Sequence, residues 1–127
     1  MKTYQAVTLA MISGFGLGAG AIQVLHAQAS PPAYYIAMNT VNDRDHYVKE
    51  FAAKSTAISK AAGGQFIVQG GAVTALKGEA PKERIVIIKW ESMDKLMAWW
   101  KSAENTAVQE VASKYATVRS FAVAGNP

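Results

Sequence analysis

The chain has no cysteine and only two histidines among its 127 residues. Without thiols there is no disulfide framework, no thiolate nucleophile, no cysteine-held zinc and no attachment point for a lipoprotein anchor. Acidic residues are missing from the start: none precedes Asp43, and Lys2 is the sole charged side chain before it. Residues 1–30 contain no arginine, which excludes a twin-arginine export signal. Basic runs are also lacking. Lys49, Lys54, Lys60, Lys77, Lys82 and Lys89 stand singly, so no clustered footprint for nucleic acid forms. The formal net charge of +4 is modest.

The first stretch with a pattern is "SGFGLGAGAIQVLHAQASPP", Ser13 to Pro32. Its alternate glycines suggest a phosphate loop, but a dinucleotide fingerprint needs a preceding strand, a following helix and an acidic residue about 20 positions on. None of these is present. A secretory leader fits instead: Lys2, an uncharged run from Ala6 to Leu25, then the small-x-small triplet Ala27-Gln28-Ala29. The expected cleavage lies between Ala29 and Ser30, giving a periplasmic or secreted protein without a stable membrane anchor. An uncleaved anchor is the alternative, weakened by four glycines and Gln23. Removal of residues 1–29 leaves 98 residues and a charge of +3, enough for one domain. Residues 30–32 then form a short linker, 33–125 the domain and 126–127 a tail.

"AYYIAMNTV", Ala33 to Val41, reads as a strand rich in aromatic and branched residues. Asn42 and Asp43 cap a helix starting near Arg44, with Tyr47, Phe51, Ile58 and Ala62 near helical spacing and Gly63-Gly64 ending it. A strand from Gln65 is expected to break at Gly70-Gly71 and resume at Ala72. "GEAPKE" is a turn, and "RIVIIKWE" is a strand. Ser92 caps a second helix, a further helical piece spans Glu104 to Tyr115, and "TVRSFAVAG" closes as a strand. The order βαββαβ predicts an α+β, ferredoxin-like domain: a four-stranded antiparallel sheet with its helices on one face. Both alternating sets in the first strand, and both in "RIVIIKW", are largely apolar. A one-layer sheet facing water shows cleaner alternation, so the second face is expected to pack against a second copy in a homodimer.

"AYYIAMNTVNDRDHYVKEF", "AAGGQFIVQGG", "ALKGEAPKERIVIIKWESMDKLMAWWKS" and "AVAG" resemble the family called domain of unknown function 1330, over residues 33–125. The "LHAQASPPAY" junction is similar to that of its exported members. The resemblance implies a dimeric α+β barrel, the plan of antibiotic-biosynthesis monooxygenase-like proteins, and implies no reaction. Three positions depart from the family pattern. Arg44 stands where proline is usual, Asn105 replaces the tyrosine of an "SPxY" stretch, and Lys89 replaces a glutamate.

Little chemistry is concentrated anywhere. His46 is the one histidine after the leader, so neither a metal site nor a Ser-His-Asp triad has enough members without it, and no G-x-S-x-G elbow exists. No cofactor or metal site is expected. Trp90, Trp99 and Trp100 read as core residues before ligand cage, and Tyr47 and Arg84 as an amphipathic helix position and a strand-start charge. The polar anomalies are Asn39 and Lys89, each mid-strand among apolar neighbours. If both face the space between two sheets they line a small pocket; otherwise Lys89 reaches solvent or a partner chain. The candidate pocket is therefore Asn39, Lys89, Trp90 and His46. The expected function is a small-molecule-binding or interaction module. The alternatives are a cofactor-free monooxygenase-like enzyme acting on a phenolic or quinol substrate, with Asn39, Trp90 and His46 orienting it, and a structural envelope protein.

Overall fold

A computed structural model describes residues 30–127; the expected leader 1–29, and Ala29 at the expected cleavage site, lie outside the described residues. Pro31–Asn126 make up one compact unit. It contains β1 (Ala33–Val41), a helical run α1 (residues 44–61), β2 (Gln65–Gln69), β3 (Arg84–Trp90), α2 (Met93–Trp100), α3 (Ala103–Tyr115) and β4 (Ala116–Ala124). The strands form one antiparallel sheet in the order β2-β3-β1-β4. The helices cover one face. This is a ferredoxin-like α+β fold. Among the described residues no helix is long and apolar enough to cross a membrane.

Strand parity decides which side chains meet the helices. Ala33, Tyr35, Ala37 and Asn39 of β1 are buried, as are Val86, Ile88 and Trp90 of β3. The register pairs Ala33 with Trp90 and Asn39 with Arg84, so odd positions in β1 and even positions in β3 share the helix side. Leu96 and Trp99 of α2 complete this core, with Tyr35 edge-on to Trp99 at 4.9 Å and Trp90 tilted against Trp99 at 4.8 Å. Tyr47 and Phe51 of α1 pack with Val108, Ala112 and Ala116 in a second cluster.

Local chemistry sets the helix ends. Asp43 Oδ1 accepts from the His46 amide at 3.2 Å, Ser92 Oγ from the Lys95 amide, and Ser102 Oγ from the Asn105 amide. Asn105 is fully buried and donates through Nδ2 to the Trp100 carbonyl, tying the corner between α2 and α3. α1 closes in a Schellman turn: Gly63 N–H donates to Lys60 O and Gly64 N–H to Ser59 O, with Gly63 at φ +107°. Gly64 is there for space. A Cβ on it would lie 2.8 Å from both Ile88 Cγ2 and Trp90 Cζ2.

Two segments differ from the sequence expectation. α1 is not uniform: Arg44–His46 and Ala53–Ala61 are α-helical, but Tyr47–Ala52 between them is π-helical, with the Ala53 amide bonded to Val48 O. The strand expected to resume at Ala72 does not form. The Gly70 amide bonds to Ile85 O as β2 leaves the sheet, and Gly70 at φ +74° turns the chain outward. β3, the sole neighbour of edge strand β2, begins at Arg84, so the chain beyond Gly70 runs past the end of its partner; residues 71–79 are exposed, Leu76 almost completely at 96%.

Asp43 also makes the fold acid-sensitive. The His46 amide first, then the His46 ring at 2.8 Å, hold its carboxyl below the ordinary value of 3.8. A lowered carboxylate pKa contributes stability that is complete above the unfolded value and is lost as pH falls through the folded one. Thermal melts between pH 6 and pH 2.5 are expected to show Asp43→Asn less stable than wild type at pH 6. The difference should shrink below about pH 4, where the native carboxyl protonates. A constant gap across that range would remove the cap from the acid response.

Candidate functional site

A narrow cleft lies between the helix side of the sheet and α1, with about 30 Å³ of free volume and a mouth that opens to solvent. The sheet supplies its floor through Tyr35, Asn39, Arg84, Val86 and Ile88, while Phe51 and Trp99 stand over it. The π-helical stretch matters here. Bonding i to i+5 widens the turn, and Tyr47 and Phe51, four residues apart, both turn inward with ring centroids 5.0 Å apart. Ser55, Thr56, Gln69 and Gln109 add polar groups around the wall, and Gln69 Nε2 donates to Thr56 Oγ1 at 3.0 Å.

One end of the cleft is chemically distinct. Asn39, 4% exposed, donates through Nδ2 to the Tyr47 hydroxyl at 2.9 Å. Its Oδ1 is buried and has no partner among the described residues. The guanidinium of Arg84 lies over the Tyr47 ring, Cζ 5.7 Å from the centroid. Arg84 makes no ion pair among the described residues, where the carboxylate partners of the arginines and lysines are Glu83 for Arg119 and Glu91 for Lys95. The Tyr35 phenol, also in the cleft, is pushed above its ordinary pKa chiefly by burial; a hydrogen bond with Ser120 acts the other way, and Tyr47 adds to the rise. It is a neutral hydroxyl at physiological pH.

The four residues singled out in the sequence do not converge. Asn39 lies in the cleft. Trp90 is buried on the same side of the sheet, but in the register of Ala33, six residues from that of Asn39 and roughly 20 Å along the strands. Lys89 pairs with Tyr34 on the opposite, helix-free side and is exposed, so it shares no pocket with Asn39. His46 sits outside, its ring stacked on Tyr115 at 5.2 Å and bonded to Asp43, with Glu50 Oε2 3.9 Å away. Among the described residues no three His, Asp or Glu side chains gather to hold a metal ion.

Arg84 and Tyr47 are the residues that a purely structural assignment undervalued. A register would have exposed them: Arg84 is the cross-strand partner of Asn39, and Tyr47 is the first inward residue after the Asp43 cap.

No curated protein sequence matches the chain. Solved structures that share its fold include RPA0582, a protein of unknown function from Rhodopseudomonas palustris. It is 12% identical, with 82% of this chain and 92% of that chain aligned at a TM-score of 0.60. SnoaB, a cofactor-independent oxygenase from Streptomyces nogalater, is 11% identical over 77% of this chain and 96% of that one, with a TM-score of 0.52. At such identities the likeness is one of fold. The family model described as domain of unknown function (DUF1330) matches residues 32–126, nearly all of the described chain, and the protein belongs to that family.

Proposed function

We propose that the protein is an exported, homodimeric binding protein that holds a small molecule with an apolar body in the cleft between α1 and the sheet. The observation that carries this reading is the buried amide of Asn39, a residue lining the cleft, whose Oδ1 has no partner among the described residues. An acceptor left bare in such a place costs about 1–3 kcal/mol unless a ligand or water supplies a donor.

Binding is favoured over turnover by what lines the cleft. Oxygenation without a cofactor starts from a deprotonated substrate, and the lining contains no carboxylate or imidazole to take the proton. Tyr35, raised by burial, is a poor base.

Benzyl alcohol, a neutral probe, titrated into the isotope-labelled protein is expected to shift the Trp99 indole and the side-chain amides of Gln69 and Gln109. Ala52→Phe fills the wall and should abolish those shifts while the protein stays folded. Shifts confined to the helix-free side of the sheet, or none at all, would overturn the reading. Oxygen uptake with a hydroquinone, lost in Asn39→Ala, would replace binding by catalysis.

A further inference from the structure

We propose that the ligand of this cleft is a single-ring organic acid that also carries a hydroxyl, its carboxylate held by Arg84 and its hydroxyl donating to Asn39 Oδ1. The inference rests on the cleft being a ligand site and adds the chemical class of what fills it.

The charge comes first. Arg84 is half-buried on the helix side of β3 and lines the cleft. A guanidinium withdrawn from water needs an anion nearby, because its lost hydration is otherwise uncompensated. No carboxylate lines the cleft, and among the described residues none pairs with Arg84. An anion supplied from outside the chain would complete it.

Two neighbours border that guanidinium. Gly70, a glycine for its φ of +74°, also leaves it space: a Cβ there would lie 2.7 Å from Arg84 Nε and 3.1 Å from Cζ. The Tyr47 ring lies beneath it, 5.7 Å from Cζ to the centroid. Arginine's planar fork is also the side chain best matched to a carboxylate.

The remaining groups set the rest of the head. Tyr47 accepts a hydrogen bond from Asn39, and among the described residues its own hydrogen has no acceptor, so it is available as a second donor to the acid. Asn39 Oδ1 accepts only, which calls for a hydroxyl on the ligand. Beyond this polar end Phe51, Val86, Ile88 and Trp99 offer flat, apolar walls to a ring.

Calorimetry with three close probes separates these contributions. 3-Hydroxybenzoate should bind at least about tenfold more tightly than 3-hydroxybenzamide, which has the same shape without the charge. Arg84→Gln should erase that preference. Arg84→Lys, which keeps the charge but loses the fork, should retain part of it. Benzoate should bind more weakly than 3-hydroxybenzoate, and that difference should vanish in Asn39→Leu.

Equal affinities for the acid and the amide, or a preference that survives Arg84→Gln in a protein with a wild-type melting curve, would overturn the inference. Equal affinities for benzoate and 3-hydroxybenzoate would overturn its hydroxyl half. If benzyl alcohol binds in the cleft and the acids gain nothing over it, the cleft stands as a site and the acid fails. If no probe binds, both readings fall together.

Discussion

Trp90→Ala is expected to destabilise the fold by about 3–5 kcal/mol, the range for deleting a large buried aromatic, and to lower the melting temperature by at least about 12 °C. Trp90 is 1% exposed, its ring lies 4.8 Å from that of Trp99, and Gly64 closes over it with no room for a methyl group. Two effects oppose each other here. Truncation empties a packed volume, but it also removes an indole N–H that has no partner among the described residues. The volume wins, since a buried orphan donor accounts for only about 1–3 kcal/mol. Trp90→Phe separates the two. It retains most of the ring and discards the N–H, and its cost should stay below about 1.5 kcal/mol.

Gly64→Ala tests the same contact from the other side. The new methyl would press on Ile88 Cγ2 and Trp90 Cζ2 at 2.8 Å, and neither belongs to a side chain free to move away. Shrinking Trp90 to phenylalanine removes Cζ2, so the double variant should be more stable than the two single costs added together. A coupling of about 1 kcal/mol or more is expected from thermal melts followed by circular dichroism. Strict additivity would show that the two residues do not share the space.

The strand and helix order was legible because its signals are local. Asp43, Ser92 and Ser102 offer side-chain oxygens where helices begin, Gly63-Gly64 supplies the left-handed turn where one ends, and "RIVIIKW" has the branched residues of a strand. The π-helical turn at Tyr47–Ala52 carries no such signature, since no residue type marks an i to i+5 bond. Gly70-Gly71 read as a bend inside a strand, but the ladder could continue only along β3, and β3 begins at Arg84.

The site was harder for a further reason. Asn39 and Lys89 look alike in the sequence, each polar within an apolar strand. Their faces are fixed by register, and a single sequence does not state a register. Once Asn39 is set opposite Arg84, Lys89 must lie opposite Tyr34 and turn away. The same shift in viewpoint converts Arg84 from a charge at a strand's start into the cleft's cation. His46 followed local chemistry instead, drawn to the cap of its own helix.

The helix-free side of the sheet carries the second large expected effect. Phe121, Ile36, Ile87 and Val68 form one apolar row across all four strands, since Ile36 pairs with both Phe121 and Ile87, and Ile87 with Val68. Tyr34 and Val123 extend it on one side, Met38 and Ile85 on the other. Lys89 and the Arg119–Glu83 pair, bonded at 3.2 Å, stand in the flanking rows as a polar margin. A continuous apolar row with charges only at its edges has the anatomy of an interface core inside a rim. A second copy is the occupant that this symmetry of composition favours, because an isologous contact lets each row cover the other. Phe121 and Val123, 45% and 44% exposed, then become buried. Sedimentation at micromolar concentration is expected to give a dimer for the wild type. Ile36→Glu places a carboxylate at the centre of both halves at once. If each costs about 2 kcal/mol, the dimer dissociates roughly a thousandfold more readily. Lys89→Ala, at the margin, should change the dissociation constant less than about tenfold. The cleft faces the other side of the sheet, so benzyl alcohol should still bind the Ile36→Glu monomer. A wild-type protein that sediments as a folded monomer, or an Ile36→Glu variant that remains dimeric, would overturn this assignment of the face.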